Sequence, residues 1–444
     1  MTVETGTWRG ATAERAREFV TLLSDRFADP TAVSRTAAEV LAAENGGWVP
    51  TGLANGHPGL AVFYGQFAES GGRHAAAAHA HLLASMRAVG DHPALGLYLG
   101  PASIAFAAQT CGARTGDYAS LRSSLLTWAA GNQATRIEAA SAPETGVAEG
   151  TYDVITGITG VGRILLDALS ADEENSPAVE SAVLATLRFL VRLSETRDAA
   201  GHRVPGWWTA PEQLPLAEER RYYPIGAANT GMAHGIAGPI ALLSLAAQRG
   251  VLVDGQLDAI GSLCGWLIGN ASSDQDGPFW VPRVPPGDRL PEDGVRPRDG
   301  WCYGVHGIAA ALHRAGTVLD RGAWRELAVT AVRAASSHDA LVTDPYLCHG
   351  HAGRLQVVHR LAVAEQDGEL LALARRIAAR LLDFVDFDAP FLVVAPVHDG
   401  PGYQVCHRPG LLDGAAGVGC ALNALLTGEP GDGNRNWDRM LLLS

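Results

Sequence analysis

The chain has 444 residues, of which 47% are hydrophobic and 18% charged, and its formal net charge is −13 at pH 7. An acidic excess with no lysine, all 34 basic residues being arginine, leaves no basic footprint for nucleic acid and excludes Schiff-base chemistry from a lysine amine. Six cysteines are too sparse for a disulfide scaffold, and Met1-Thr2-Val3-Glu4 does not begin a signal peptide, so a cytoplasmic protein with reduced thiols is expected.

Seven times along the chain a Gly-x-x-Gly, or a near copy, introduces an apolar run. The copies are Gly56-His57-Pro58-Gly59, Gly100-Pro101-Ala102-Ser103, Gly157-Ile158-Thr159-Gly160 and Gly235-Ile236-Ala237-Gly238. Gly304-Val305-His306-Gly307, Gly350-His351-Ala352-Gly353 and Gly414-Ala415-Ala416-Gly417 complete the set. The uncharged stretch Pro93 to Ala113 contains the second copy and reads as a buried helix start, because its glycines and prolines do not suit a membrane span. No membrane span is expected elsewhere.

Between the copies lie segments of helical period. Ser176-Pro177 gives an N-cap followed by proline at the first helical position, and Val183, Leu184, Leu187, Leu190 and Val191 then share one face. Ala323 to Val332 predicts another helix, and Leu370, Leu373, Ile377, Leu381 and Phe384 repeat the one-sided pattern. The runs after the glycines are instead apolar all round, so they must be buried all round. One-sided and all-sided helices in alternation predict an all-α chain in which an outer ring surrounds an inner one. Residues 1–444 are then one domain, with long loops near 133–151, 201–226 and 274–298. The last two carry Trp207-Trp208 and six prolines respectively, and the first is expected to hold a small insertion or to be flexible.

If the copies are equivalent, the residues just before their glycines converge on one mouth of the ring. Cys302 and Cys348 each stand two residues before a first glycine, and His349 and His234 stand one before. Two thiols and an imidazole supply the three protein ligands typical of a zinc site that keeps one position open. Spacing alone leaves the metal open, since Cys406-His407 is a second Cys-His pair, though without a Gly-x-x-Gly at that offset. Cys111, Cys264 and Cys420 lie in apolar runs and read as buried cysteines. Asp153, four residues before Gly157, can fix the tautomer of His234 and raise its pKa if the two meet. Arg298, four residues before Cys302, offers a fixed positive charge. The remaining starts are expected to be structural.

Read together, Tyr152-Asp153-Val154-Ile155-Thr156-Gly157, Ala233-His234-Gly235-Ile236-Ala237-Gly238, Arg298-Asp299-Gly300-Trp301-Cys302-Tyr303-Gly304 and Leu347-Cys348-His349-Gly350 resemble the lanthipeptide cyclases. The resemblance implies an α/α toroid of seven inner and seven outer helices with zinc at the inner mouth. It implies Cys302, Cys348 and His349 as zinc ligands, and Asp153, His234, Arg298 and Tyr303 as the other active-site residues. Ser103 in place of a glycine, and the extra His306 and His351, are small departures that leave the ligand positions intact. A small β-rich insertion known in the family is not evident in 133–151.

The implied reaction is zinc-dependent addition of a peptide cysteine thiolate to dehydroalanine or dehydrobutyrine, closing lanthionine or methyllanthionine rings in a dehydrated precursor peptide. A separate dehydratase is the implied partner. Three rivals are addition of glutathione to dehydrated residues, a protein prenyltransferase subunit, and a non-catalytic peptide-binding scaffold with structural zinc. The two-cysteine ligand set disfavours the prenyltransferase, whose zinc is typically held by an Asp-Cys-His set.

Overall fold

Every one of the seven starts opens a helix. The computed structural model describes residues 8–43, 47–67, 72–90, 95–113, 116–140, 146–170, 176–287, 296–337, 342–399, 402–428 and 436–444. Helices α1 (Ala11–Arg26) and α2 (Pro30–Ala43) precede the first start. Then α3 (His57–Gly65) packs on α4 (Arg73–Arg87), and α5 (Pro101–Gly112) on α6 (Ala119–Ala140). After the single turn α7 (Glu149–Tyr152), α8 (Ile158–Ser170) pairs with α9 (Pro177–Arg192). A second single turn, α10 (Glu219–Tyr222), precedes α11 (Ala237–Gln248), which pairs with α12 (Gln256–Gly269). Next, α13 (Val305–Val318) pairs with α14 (Gly322–Ser336) and α15 (His351–Ala364) with α16 (Gly368–Leu382). Finally α17 (Ala415–Thr427) packs back on α1.

Each glycine-led helix touches the next, and α17 touches α3, so the inner helices close on themselves. Among the described residues the architecture is an α/α toroid of seven inner helices (α3, α5, α8, α11, α13, α15, α17) and seven outer ones (α1, α4, α6, α9, α12, α14, α16). Burial follows the sequence pattern. Helix α11 is buried from Ala237 through Ala246, whereas α16 buries the Leu370, Leu373, Ile377 and Leu381 face and exposes the other. Strands among the described residues form four antiparallel pairs. These are β1 (Thr196–Ala199) with β2 (His202–Pro205), β3 (Ala228–Asn229) with β6 (Arg283–Val284), β4 (Ser272–Asp274) with β5 (Gly277–Phe279), and β7 (Ala395–Asp399) with β8 (Gly402–Cys406).

The residue two before each first glycine does the same backbone job. Its carbonyl accepts an N–H from the preceding start: Leu53 to Tyr98 (3.0 Å), Tyr98 to Ile155 (3.4 Å), Val154 to Ala233 (2.9 Å) and Met232 to Cys302 (3.0 Å). Cys302 to Cys348 (2.9 Å), Cys348 to Leu412 (3.1 Å) and Leu412 to Ala54 (3.0 Å) complete the circuit. Otherwise orphaned backbone groups at the buried mouth are thereby paired. The second glycine of a start sits where this closed circlet meets its own helix. A Cβ on Gly160 would lie 2.0 Å from the Val154 carbonyl oxygen, and one on Gly307 2.1 Å from that of Trp301. Ser103 replaces that glycine in the second start, and its hydroxyl instead reaches the carbonyls of Thr51 (2.5 Å) and Gly100 (2.6 Å).

Residues 436–444 thread into the ring and fill its middle. The Trp301 indole donates to the Leu441 carbonyl at 2.9 Å, and the Tyr98 hydroxyl to that of Met440 at 2.8 Å. Arg439 reaches Asp167 at 2.6 Å, and Arg360 reaches Asp438 at 2.6 Å. Asp167 is fully buried and also meets Arg163 (2.9 Å) and Arg249 (2.7 Å). Burial opposes its ionisation, but the three guanidiniums outweigh that and hold its pKa below the usual carboxylate range. Asp167→Asn strands buried guanidinium charge and is expected to lower stability by about 3–5 kcal/mol. A urea-unfolding midpoint equal to that of the unaltered protein would refute this.

The long loop expected near 133–151 is corrected. Helix α6 continues to Ala140, and α7 begins at Glu149, while 141–145 lie outside the described residues. The reason is the Gln133 amide, buried where it donates to the Ile158 carbonyl (2.7 Å) and the Thr186 hydroxyl (2.9 Å). The segment therefore packs as helix against both α8 and α9. The 201–226 and 274–298 stretches are largely irregular and bear strand β2, α10 and strands β5 and β6. Residues 288–295 lie outside the described set. Trp207 anchors its loop edge-on to Trp266, with ring centroids 4.8 Å apart. Ser176 stands at the N-cap of α9, but its side chain makes no capping hydrogen bond.

Candidate active site

The fifth and sixth starts bring two sulfurs and an imidazole together. Ligand atoms of Cys302, Cys348 and His349 lie within 4.8 Å of one another, and all three residues are half-buried. The circlet bond from Cys302 N to Cys348 O sets the two chains side by side. Gly300 makes that approach possible, because a Cβ there would lie 2.5 Å from His349 Cα. Nε2 of His349 faces Asp344 Oδ2 at 3.0 Å, which leaves Nδ1 for the sulfurs. Hydrogen bonding from the Cys348 thiol, against the opposing effect of burial and with help from His349, lowers the Cys302 pKa to about 5. Each thiol's ionisation acts on the other, so the close pair favours one negative charge between the two sulfurs. Burial disfavours charge on His349, yet Asp344 and Cys302 raise its pKa to about 10. This donor set suits a divalent ion such as zinc in tetrahedral coordination, with one position left for an outside ligand.

The third and fourth starts supply a second pair. His234 Nδ1 and Asp153 Oδ2 are 2.5 Å apart. Asp153 is buried and held by its own start, accepting from the backbone N–H groups of Thr156 (2.8 Å) and Gly157 (2.5 Å). Burial works to lower the pKa of His234, but the hydrogen bond and charge of Asp153 prevail, with Glu149 and Cys302 adding to them, and the pKa is raised. With Nδ1 bound to Asp153, Nε2 is the nitrogen available to a substrate. The Tyr303 ring stacks beside His234, with centroids 6.3 Å apart and planes at 29°.

A cleft of about 690 Å³ joins the two groups, and Asp153, His234, Arg298, Cys302, Tyr303 and His349 all line it. Arg298 is exposed, and its charge favours the ionised forms of Cys302 and Asp344. Cys406 and His407 lie outside the triad, on β8 and just after it. Cys111 and Cys264 are buried, and burial pushes both thiols up to about 12.

A family model described as "Lanthionine synthetase C-like protein" matches residues 47–442. The chain belongs to the lanthionine synthetase C-like family. The nisin biosynthesis protein NisC of Lactococcus lactis subsp. lactis is 25% identical to it over 211 residues, 46% of this chain and 48% of that relative. The alignment thus spans about half the length of NisC. The solved structure of a nisin cyclase superposes with a TM-score of 0.70 at 19% identity, covering 93% of this chain and 97% of that one. This last likeness bears on the fold, and agrees with the toroid.

Several residues around this lanthionine synthetase C-like site escaped the sequence reading. Asp344, six residues before Gly350, holds His349. Asn229, on β3, donates to the Tyr303 hydroxyl at 3.1 Å and accepts from Gly231 N at 2.9 Å. Asp413 belongs to the seventh start, which was expected to be structural only. The structure instead sets its carboxylate where it feels His349, Asp344 and Cys302. Its Oδ1 is buried with no hydrogen-bond partner among the described residues, and burial raises its pKa to about 6.

Proposed function

We propose that the protein is a zinc-dependent lanthipeptide cyclase, a single domain over residues 1–444, that adds a peptide cysteine thiol to dehydroalanine or dehydrobutyrine. The observation that carries this reading is one cleft lined by Cys302 and His349 of the Cys-Cys-His triad and by a carboxylate-oriented histidine. Family membership and the likeness to NisC support it. Cys302, Cys348 and His349 would hold the metal. A zinc ion there supplies a Lewis-acid position that lets a substrate thiol lose its proton at neutral pH.

In ring closure a C–S bond forms at the substrate β-carbon, and the alkene electron pair moves through Cα to the carbonyl oxygen. Arg298 offsets the developing negative charge. His234, cationic through Asp153, delivers a proton from Nε2 to Cα and ends neutral. The proton lost from the thiol restores the imidazolium, so thiol and alkene become thioether with no other reactant. Tyr303, fixed by Asn229, lies against the imidazole and limits its rotation.

The dehydrated precursor peptide would come from a separate dehydratase, and the reaction would take place in the cytoplasm. Among the described residues no helix is long and apolar enough to cross a membrane.

The test incubates purified protein with a dehydrated, cysteine-containing peptide and counts free thiols by alkylation and mass spectrometry. Loss of one thiol per ring at unchanged peptide mass is expected. A glutathione adduct formed in preference to a ring would favour glutathione addition, and retention of all thiols would favour the scaffold. Cys348→Ala is expected to lose both bound zinc and ring formation, since two remaining ligands hold zinc poorly. Stoichiometric zinc in that variant, measured by atomic emission, would sink the ligand assignment.

A further inference from the structure

Arg283 on β6 is a buried hub beside the cleft, 4% exposed. On one side it grips Glu149 of α7 with two N–H groups, one of them 3.2 Å from Oε2. On the other it meets Glu219 of α10 through Nε (2.8 Å) and Nη2 (3.2 Å). One guanidinium between two carboxylates leaves a net negative charge in a mostly buried place, a costly arrangement with which to hold a loop. What it holds is specific. Glu219 Oε2 accepts from Leu216 N at 3.4 Å, and Glu219 N donates to Leu216 O at 3.1 Å. Leu216 is therefore tied at both backbone ends to the residue that Arg283 grips.

A single exposed leucine is ordinary on a protein surface. Leu216 differs in its position. It is 61% exposed, yet it lines the same cleft as His234 and Cys302, with Gln213 and Pro215 beside it. Arg283 and Glu149 also line that cleft, so the latch and the reacting groups share one wall system. A peptide whose thiol and alkene enter the cleft must leave over its rim, and this rim offers an apolar contact on a fastened backbone.

We propose that residues 211–222 form a lip that holds the substrate peptide over the cleft, Leu216 contacting apolar side chains next to the reacting cysteine and the Glu219–Arg283 ion pair serving as the latch. The proposal rests on the cyclase reading for the identity of its occupant. Leu216 and Glu219 are positioning residues, since neither touches the reacting atoms.

Two measurements test it. Hydrogen exchange on the free protein reads the latch without any substrate. Glu219→Gln is expected to speed exchange across residues 211–222 by about 10-fold or more, with the global melting temperature held. Unchanged exchange overturns the latch whether or not the protein cyclises anything. Steady-state kinetics with the dehydrated peptide read the lip. Leu216→Ala is expected to raise KM about 5- to 10-fold with kcat held within about twofold, the mark of lost uniform binding. Leu257→Ala, another exposed leucine away from the cleft, is the control and should match the unaltered protein. An unchanged KM for Leu216→Ala, or a fall in kcat at constant KM, overturns the lip. If the unaltered protein closes no rings, the cyclase reading and the peptide as occupant fail together, and the exchange result still decides the latch.

Discussion

His234→Ala is expected to keep a full complement of zinc while losing about 10²–10⁴-fold in kcat for ring closure. The two outcomes separate because the histidine stands on the fourth start, apart from the triad of the fifth and sixth. Asp153→Asn probes the same pair by pH. Asp153 raises the pKa of His234, so in the unaltered enzyme the imidazolium persists to a pH above the ordinary histidine value. Activity that needs this acid is present below the raised pKa and falls as pH climbs through it. Without the carboxylate, burial pulls the pKa down, so the alkaline limb of kcat should move to lower pH. An alkaline limb that stays in place, or ring closure by His234→Ala at the full rate, would remove the imidazole from the mechanism.

Gly307→Ala should be among the most damaging single substitutions in the ring. The added methyl would sit 2.1 Å from the Trp301 carbonyl oxygen and 2.7 Å from Met232 Cβ. Neither neighbour can yield, because Met232 and Cys302, the residue after Trp301, belong to the circlet that closes the mouth. A loss of about 4 kcal/mol or more is expected, the range reserved for overpacking at a site unable to relax. Gly265→Ala provides the contrast. That glycine lies within outer helix α12, where an added Cβ meets nothing within 4 Å. There the same change should stabilise by about 0.4–1 kcal/mol, through the restricted unfolded chain and better helix propensity. Chemical denaturation of the two variants should move the midpoint in opposite directions. Equal midpoints would show that the steric reading of the second glycines is wrong.

The seven starts made the inner ring legible, because a buried helix entrance needs small residues at fixed offsets and those offsets survive in the chain. The triad was legible for the same reason: Cys302, Cys348 and His349 occupy the two positions before a first glycine, where the backbone circlet places them at the mouth. Asn229, Arg283 and Asp344 were not legible. Arg283 comes from a connecting segment that follows no repeat, and although Asn229 and Asp344 each stand six residues before a first glycine, no single residue type holds that offset across the starts to announce it. Residues 436–444 were missed for a related reason. Met440, Leu441 and Leu442 are apolar without a helical or strand period, since they fill a hole rather than present a face. The run 133–140 was misjudged because its decisive contact, a buried glutamine amide bridging two neighbouring helices, is tertiary.

The hydrogen-bonded circlet has no first member. Leu412 donates to Ala54 as Val154 donates to Ala233, although the former pair comes from opposite ends of the chain and the latter from adjacent repeats. A link of such long sequence separation must wait for the intervening chain, so the ring is a high-contact-order object that closes late in folding. Until it closes, Leu412, whose carbonyl pairs with the Cys348 N–H, lacks the Ala54 carbonyl that its own N–H meets in the ring. The geometry around the triad is thus a property of the completed circle, inherited by each start from the six others.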